Sequence, residues 1–416
     1  MGLSSSRGLS SLPSFSPPPM GEDIAVTRFR QYLRVNTEQP NPDYTACQEF
    51  LYGLADELGI KRTSYEVVAG KPIIVMTIEG THPEEKSLLL YSHTDVVPTF
   101  RDHWTYDPYS AHKDEEGRIY ARGSQDMKCV GSQYFEAIRR HFLRGKNQFR
   151  RTIHLMWGPD EEIGGSDGLA SFVHRPEFEN LNIGFVLDEG IASENEVYKV
   201  FYGERAPWWI KVTFEGSPGH GSKFIENIAV EKLHRFMNMA FAFRDVEKAK
   251  LAANRELTVG DVTSLNMTMI NGGVQVNVIP EKITAFIDVR VTPSVDFDDL
   301  DKQIGRWCKE AGEGVTYEYV QRCMTKHVTP TTRDDSWWAT FEDVLNEEGC
   351  KFKKEIFIGA TDSRFMRAKG LRSIGFSPMV NIPSLLHDHN EYITEDLFLR
   401  GVTIYEKLIE RLADLQ

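Results

Sequence analysis

SLLLYSHTD, residues 87–95, is an apolar run that ends in a histidine and an acid. An unbroken apolar run is typical of a strand that helices cover on both faces. Similar runs follow at 152–156 and 183–187, and a helical pattern lies at about 127–142. This alternation predicts an α/β fold in which helices cover both faces of a sheet.

The sequence pattern changes between about residues 201 and 322. Strands there alternate apolar and polar residues, as at Ala285, Ile287 and Val289, and helical patterns occur near 225–244 and 297–311. Half-buried strands with two long helices predict a compact α+β unit inserted into the α/β domain. The βα pattern then resumes and ends in a C-terminal helix. The predicted divisions are a tail at 1–21, the α/β domain at 22–201 and 323–416, and the inserted domain at 202–322.

The composition excludes several classes of function. A chain of 416 residues with 41% hydrophobic and 26% charged residues has a globular profile. The net charge of −13 argues against a nucleic-acid partner, which would require clustered Lys and Arg. No run approaches the about 18–20 apolar residues of a membrane span. The five cysteines are widely spaced, with no Cys-x-x-Cys pair, so we expect a cytoplasmic protein.

The first residues allow two interpretations. The Ser/Pro-rich stretch 4–19 is typical of a disordered tail. Met1, Gly2 and Ser6 also fit the loose pattern for N-myristoylation. Because that pattern is short and often arises by chance, the disordered tail is the preferred prediction.

Polar residues that could bind a metal follow the apolar strands. His93 and Asp95 share a face because side chains alternate along a strand with a period of two. The histidine could bind a metal while the carboxylate orients its ring, or it could be an ordinary core or surface histidine. Asp126 lies where a loop enters a helix, so it could bind a metal or cap the helix.

Three consecutive acids, Asp160, Glu161 and Glu162, follow the strand at 152–156. Such crowding is unfavourable unless a cation relieves it, although an acidic surface turn is the alternative. Asp188 and Glu189 follow the next strand, and 386–391 form another cluster of histidines and acids. Strand ends of open α/β sheets are where ligands bind, and nitrogen and oxygen donors without cysteine suit catalytic zinc.

Five motifs carry a family resemblance: SHTDVVP at 92–98, ARGSQDMK at 121–128, PDEEIGG at 159–165, LDEGIA at 187–192 and LLHDH at 385–389. With them the chain resembles the zinc amidohydrolases and peptidases of family M20, and within that family the aminoacylases. The resemblance implies a zinc-binding α/β sandwich interrupted by an inserted α+β dimerisation (lid) domain. It also implies hydrolysis of N-acyl-L-amino acids such as N-acetyl-L-methionine, with two zinc ions per subunit of a homodimer.

The resemblance further implies a role for each site residue. One zinc would be held by His93, Asp126 and Glu189, and the second by Glu162, His387 and the shared Asp126. Glu161 would be the general base, and Asp95 would orient His93. Two assignments stay open, because Asp188 neighbours Glu189 and His389 could compete with His387.

Three residues of the inserted domain complete the implied site. His220 would reach across the dimer interface to bind the oxyanion, and Asn277 and Arg290 would bind the substrate carboxylate. A salt bridge to Asp288 on the same strand face is the alternative for Arg290. A dipeptidase or carboxypeptidase is the alternative function within the fold. A catalytically idle scaffold is the alternative outside it, although the intact set of acids argues against this.

Overall fold

The computed structural model describes residues 21–416, so both interpretations of the N-terminal tail lie outside the described residues. Contacts divide the chain into two compact units. The first comprises 21–200, 330–353 and 371–416, and the second comprises 201–329 and 354–370. Residues 323–329 and 354–370 thus belong to the second unit, whereas the sequence-based division placed them in the α/β domain.

The helices and strands alternate along the first unit, as the apolar runs predict. The elements of both units are numbered together in chain order. The helices are α1 Ile24–Leu33, α2 Thr45–Leu58, α3 Lys128–Leu143, α4 Leu169–Phe172, α5 Pro176–Glu179, α6 Ala229–Ala253, α7 Phe297–Ala311, α8 Ser336–Glu347, α9 Ser363–Ala368 and α10 Glu395–Ala413. The strands are β1 Lys61–Val68, β2 Lys71–Ile78, β3 Ser87–His93, β4 His112–Lys113, β5 Arg118–Tyr120, β6 Ile153–Gly158, β7 Ile183–Asp188, β8 Tyr198–Glu204, β9 Ala206–Glu215, β10 Gly219–His220, β11 Ser264–Gly272, β12 Val278–Ile279, β13 Lys282–Val291, β14 Val315–Arg322, β15 Phe352–Phe357, β16 Arg372–Phe376 and β17 Tyr392–Thr394.

The main sheet has the strand order β1-β2-β6-β3-β7-β16-β8-β15. Strand β3 pairs in parallel with β6 on one side and with β7 on the other, and every residue of these three strands is buried. Strand β2 runs antiparallel to β6, so the sheet is mixed. The predicted α/β fold class is confirmed, and the carboxyl ends of β3, β6 and β7 lie side by side.

Helices α3 and α10 pack against each other beside this sheet. Tyr134 of α3 and Tyr405 of α10 meet edge to face with ring centroids 4.6 Å apart. Two glycines permit the close approach of these elements. A Cβ on Gly131 would lie 2.7 Å from Ser92 Oγ of β3, and one on Gly401 would lie 2.1 Å from Gln133 Nε2. The start of α3 is therefore fixed closely against the end of β3.

The second unit contains a four-stranded antiparallel sheet, ordered β11-β13-β9-β14. Alternate residues of β9, from Trp208 to Phe214, are buried in a core with residues of α6 and α7. Trp209 points to the other face and is 43% exposed. Helix α7 has the predicted bounds, but α6 begins later and ends later than the 225–244 expected from the sequence.

The five cysteines are free thiols, as their spacing suggests. Four of them are buried, and Cys323 is partly buried. Within 21–416, no helix is both long enough and apolar enough to cross a membrane.

Candidate metal centre

Three neighbouring strands deliver acids and a histidine to one edge of the main sheet. His93 is the last residue of β3, Glu161 and Glu162 follow β6, and Glu189 follows β7. Because β3 runs parallel to both neighbours, all three strands end at the same edge. Asp126 comes from the loop before α3.

His93, Asp126 and Glu189 form one possible ligand group. His93 Nε2 lies 3.0 Å from Asp126 Oδ1 and 3.7 Å from Glu189 Oε2. One donor atom from each residue lies within 4.8 Å of the other two, and all three residues are buried. The neighbouring Asp188 accepts a hydrogen bond from the backbone N–H of Glu189. The carboxylate in this group therefore belongs to Glu189.

A second group shares Asp126. His387 Nε2 lies 3.1 Å from Glu162 Oε2 and 3.4 Å from Asp126 Oδ2, and the three donors again lie within 4.8 Å of one another. The two oxygens of Asp126 thus face different histidines. His389, in contrast, stacks on His103 with ring centroids 4.8 Å apart.

Burial and, after it, repulsion by Asp126 shift the pKa values of the other carboxylates in these groups. Burial and the charge of Asp126 together raise the pKa of Glu162 to about 7. Burial and Asp126 likewise raise the pKa of Glu189. For Asp126, burial would raise the pKa, but hydrogen bonds with His387 and His93 outweigh it and lower the pKa. Hydrogen bonds to Asp126 and Glu162 raise the pKa of His387 to about 10.

This donor set fits a pair of divalent cations. Each group supplies one imidazole nitrogen and carboxylate oxygens, the ligands that catalytic zinc takes. A cation between crowded carboxylates would replace the protons that otherwise reduce their repulsion. The backbone of His387 has a φ of 60°, a left-handed conformation that is uncommon outside glycine and often found at functional sites.

Asp95 contacts the acidic turn as well as His93. Its backbone carbonyl is 2.9 Å from His93 Nδ1, whereas its carboxylate oxygen is 3.6 Å from that nitrogen. The carboxylate instead accepts hydrogen bonds from the backbone N–H groups of Glu161 and Glu162, each at 3.1 Å. Glu161 itself is 9% exposed. Asp95 therefore supports both the histidine and the turn that carries the two glutamates.

A model of the peptidase family M20/M25/M40 matches residues 89–411. The chain belongs to this family. Aminoacylase-1 from Mus musculus is 51% identical over 397 residues, which cover 95% of this chain and 97% of that protein. Among solved structures, an M20 metallo-carboxypeptidase from Sulfolobus solfataricus aligns with a TM-score of 0.71 and 17% identity over 95% of this chain and 100% of that one. A dinuclear metal-binding M20 peptidase from Bacillus subtilis aligns with a TM-score of 0.68 and 12% identity over 94% and 99%.

Glu391 was included in the predicted cluster at 386–391, but the sequence analysis gave it no role. It is fully buried and accepts hydrogen bonds from the backbone N–H groups of Gly123, Gln125 and Asp126. Arg122 forms a buried ion pair with it at 2.9 Å. Its place in the cluster at 386–391 gave no hint of its contacts with the Asp126 loop.

The predicted residues of the inserted domain lie in the second unit. His220 is exposed on β10 and shares a hydrogen bond with Ser222 at 2.8 Å. Asn277 Oδ1 accepts a hydrogen bond from Gln275 at 2.7 Å. Arg290 makes two hydrogen bonds to Asp288, at 2.8 and 3.1 Å, which is the salt bridge considered as its alternative.

Proposed function

We propose that this M20 chain hydrolyses N-acyl-L-amino acids, such as N-acetyl-L-methionine, to a carboxylate and a free L-amino acid. The observation that carries the proposal is the 51% identity to mouse aminoacylase-1 over almost the full length of both chains. The two ligand groups that share Asp126 supply the kind of centre that amide hydrolysis needs. The structural likeness to a carboxypeptidase, at 17% identity, supports the fold alone.

The proposed cofactor is a pair of zinc ions in each subunit. His93, Asp126 and Glu189 would hold one, and Asp126, Glu162 and His387 the other. When bound, zinc supplies Lewis acidity that lowers the pKa of water and polarises an amide carbonyl. The shared position of Asp126 supports this assignment, because its two oxygens face different histidines.

Glu161 is the proposed general base. Its backbone is held by Asp95, while the neighbouring side chain of Glu162 faces His387. The carboxylate of Glu161 takes a proton from the attacking water and later delivers it to the leaving amine. Two adjacent glutamates thereby divide proton transfer and metal binding.

Residues of the second unit would complete the site in a cytoplasmic homodimer. His220 of one subunit would donate a hydrogen bond to the oxyanion formed in the other. Asn277 and Arg290 would bind the carboxylate of the amino acid, for which an arginine offers two parallel donors. Arg290 would then exchange its contact with Asp288 for the substrate, since both side chains are only partly buried.

The substrate test compares N-acetyl-L-methionine, N-acetyl-L-aspartate and an unblocked dipeptide with purified, zinc-loaded protein. We expect release of methionine from the first substrate, and we expect Glu161→Gln to abolish most of it. Faster cleavage of the dipeptide would instead favour a dipeptidase. Hydrolysis of none of the three would contradict the proposed activity.

A further inference from the structure

The segment that follows α1 lies beside the loop that carries Asp95. The backbone N–H of Gln39 donates to the carbonyl of Val96 at 2.9 Å, and the N–H of Val96 donates to the carbonyl of Thr37 at 3.1 Å. These bonds fix the backbone of Gln39 next to the end of β3. The family model begins at residue 89, so Gln39 lies outside the stretch that it matches.

The side chain of Gln39 joins two buried carboxylates. Its Nε2 lies 2.8 Å from Asp95 Oδ2 and 3.1 Å from Asp160 Oδ1. An amide nitrogen carries two protons, so it can donate to both acids at once. The reversed amide would place its oxygen against both carboxylates, so these acceptors fix its orientation.

The turn at 160–162 is consequently held at three successive residues. Asp160 is bound by Gln39, and it also accepts a hydrogen bond from Tyr44 at 2.7 Å and pairs with Lys71. The next two residues donate their backbone N–H groups to Asp95. Gln39 is the side chain that connects these two anchoring acids.

We propose that Gln39 is a positioning residue that holds the acidic turn, and with it the carboxylate of Glu161, in the geometry needed for proton transfer. This inference rests on the proposed role of Glu161. Without the amide, Asp95 and Asp160 lose the donor that both share inside the protein. Asp95 then becomes a less well-fixed acceptor for the backbone of the turn, and Glu161 loses its fixed position.

Hydrogen exchange tests, independently of activity, whether Gln39 holds the turn at 160–162 in place. In Gln39→Met, the backbone amides of Glu161 and Glu162 should exchange about tenfold faster, as expected when a hydrogen bond to a charged acceptor is weakened. The matched control is Gln48→Met, which removes a glutamine hydrogen bond to Tyr52 on α2 and should leave this turn unchanged. Unaltered exchange of the turn in Gln39→Met would overturn the proposal.

A double-mutant cycle with Glu161→Gln tests the link to chemistry. In zinc-saturated protein, Gln39→Met should lower kcat about 10–100-fold, with KM and zinc content little changed. In the Glu161→Gln background the same change should lower kcat less than about threefold, because residues that act as a unit are not additive. Equal losses in both backgrounds, or loss of zinc, would contradict the role in positioning the base.

Two further results distinguish a failure of this inference from a failure of the proposed function. If Gln39→Met does not fold, Gln39→Glu preserves the shape of the side chain. It should also impair turnover, because it adds a third acid beside Asp95 and Asp160. Full activity of this variant would count against the proposal. An inactive wild-type enzyme would refute the proposed function, whereas an active wild type with an equally active Gln39→Met would refute only this inference.

Discussion

Removing Glu391 should destabilise the first unit far more than removing its partner Arg122. Glu391→Met leaves a buried guanidinium without its carboxylate, and it leaves the N–H groups of Gly123, Gln125 and Asp126 without their acceptor. Arg122 keeps its hydrogen bonds to two backbone carbonyls, at 3.0 and 3.3 Å. In Arg122→Met, by contrast, the carboxylate keeps all three N–H donors.

The size of each effect follows from the usual free-energy costs of a broken buried ion pair and of unsatisfied N–H groups. Breaking a buried ion pair by removing one partner costs about 3–5 kcal/mol, and each backbone N–H that stays unsatisfied adds roughly 1–3 kcal/mol. Glu391→Met, which breaks the pair and leaves three N–H groups unsatisfied, should therefore cost at least about 6 kcal/mol of unfolding free energy. Burial raises the pKa of Glu391, so without Arg122 this carboxyl can take up a proton, and Arg122→Met should cost less. The double variant should lie between them, because it removes the unpaired charge but not the unsatisfied N–H groups.

Calorimetry of metal-free protein, supported by urea unfolding, measures the order of stability of these variants. Glu196→Met serves as the control, because the ion pair of Glu196 with Lys351 is about two-thirds exposed on both sides and should contribute little. Zinc titration should show weaker binding in Glu391→Met, since the displaced N–H groups include that of Asp126. Equal destabilisation by the two single variants, or a double variant as unstable as their sum, would refute this account of the pair.

Four other predictions concern the metal centre, the base, a buried histidine and the dimer. Asp126→Asn should lower zinc content from about two per chain towards none, because each oxygen of Asp126 faces a different ligand group; two retained zinc ions, by metal analysis, would contradict this. Glu161→Gln should keep zinc and lose turnover, whereas Glu162→Gln should lose zinc, and equal zinc loss would disprove the division of roles. Burial lowers the pKa of His154 to about 4, so its contribution to the free energy of unfolding is complete above its ordinary pKa of 6.5. As the pH falls from 6.5 to 4, the free energy of unfolding should decrease by up to about 1.4 kcal/mol per pH unit, because only the unfolded chain takes up the proton in that range. The free energy of unfolding of His154→Gln should depend less on pH. Mixed subunits of inactive Glu161→Gln and His220→Ala should recover activity in one site of each hybrid dimer, and exchange without recovery would exclude a shared site.

The sequence predicted the fold best where burial is continuous. Strands β3, β6 and β7 are covered on both faces, so each is an unbroken apolar run that local pattern can identify. Strand β1 escaped prediction because it lies at the edge of its sheet, and all of its residues are exposed or half-buried. The bounds of α6 were also misplaced, since only six of its 25 residues are buried and its apolar pattern is weak.

The residues of the candidate site could likewise be predicted only in part. His93, Glu162 and Glu189 follow strands that end together, so parallel pairing brings neighbouring motifs to one edge. Glu391 and Gln39 could not be found by that reasoning. Glu391 acts on the backbone of Asp126, 265 residues away in the sequence, and Gln39 reaches Asp160 across 121 residues. Only tertiary structure brings such partners together.

The site residues are connected through a small number of shared acids, and this has a consequence for mutagenesis. Asp126 belongs to both ligand groups, and Glu391 holds its backbone. Asp95 supports His93 through its carbonyl and the acidic turn through its carboxylate. A change at either supporting acid should therefore disturb more than one function, whereas a change at Glu161 should disturb proton transfer alone. Substitutions in a connected network are not additive, so the roles of these acids can be separated only when zinc content and turnover are measured on the same variants.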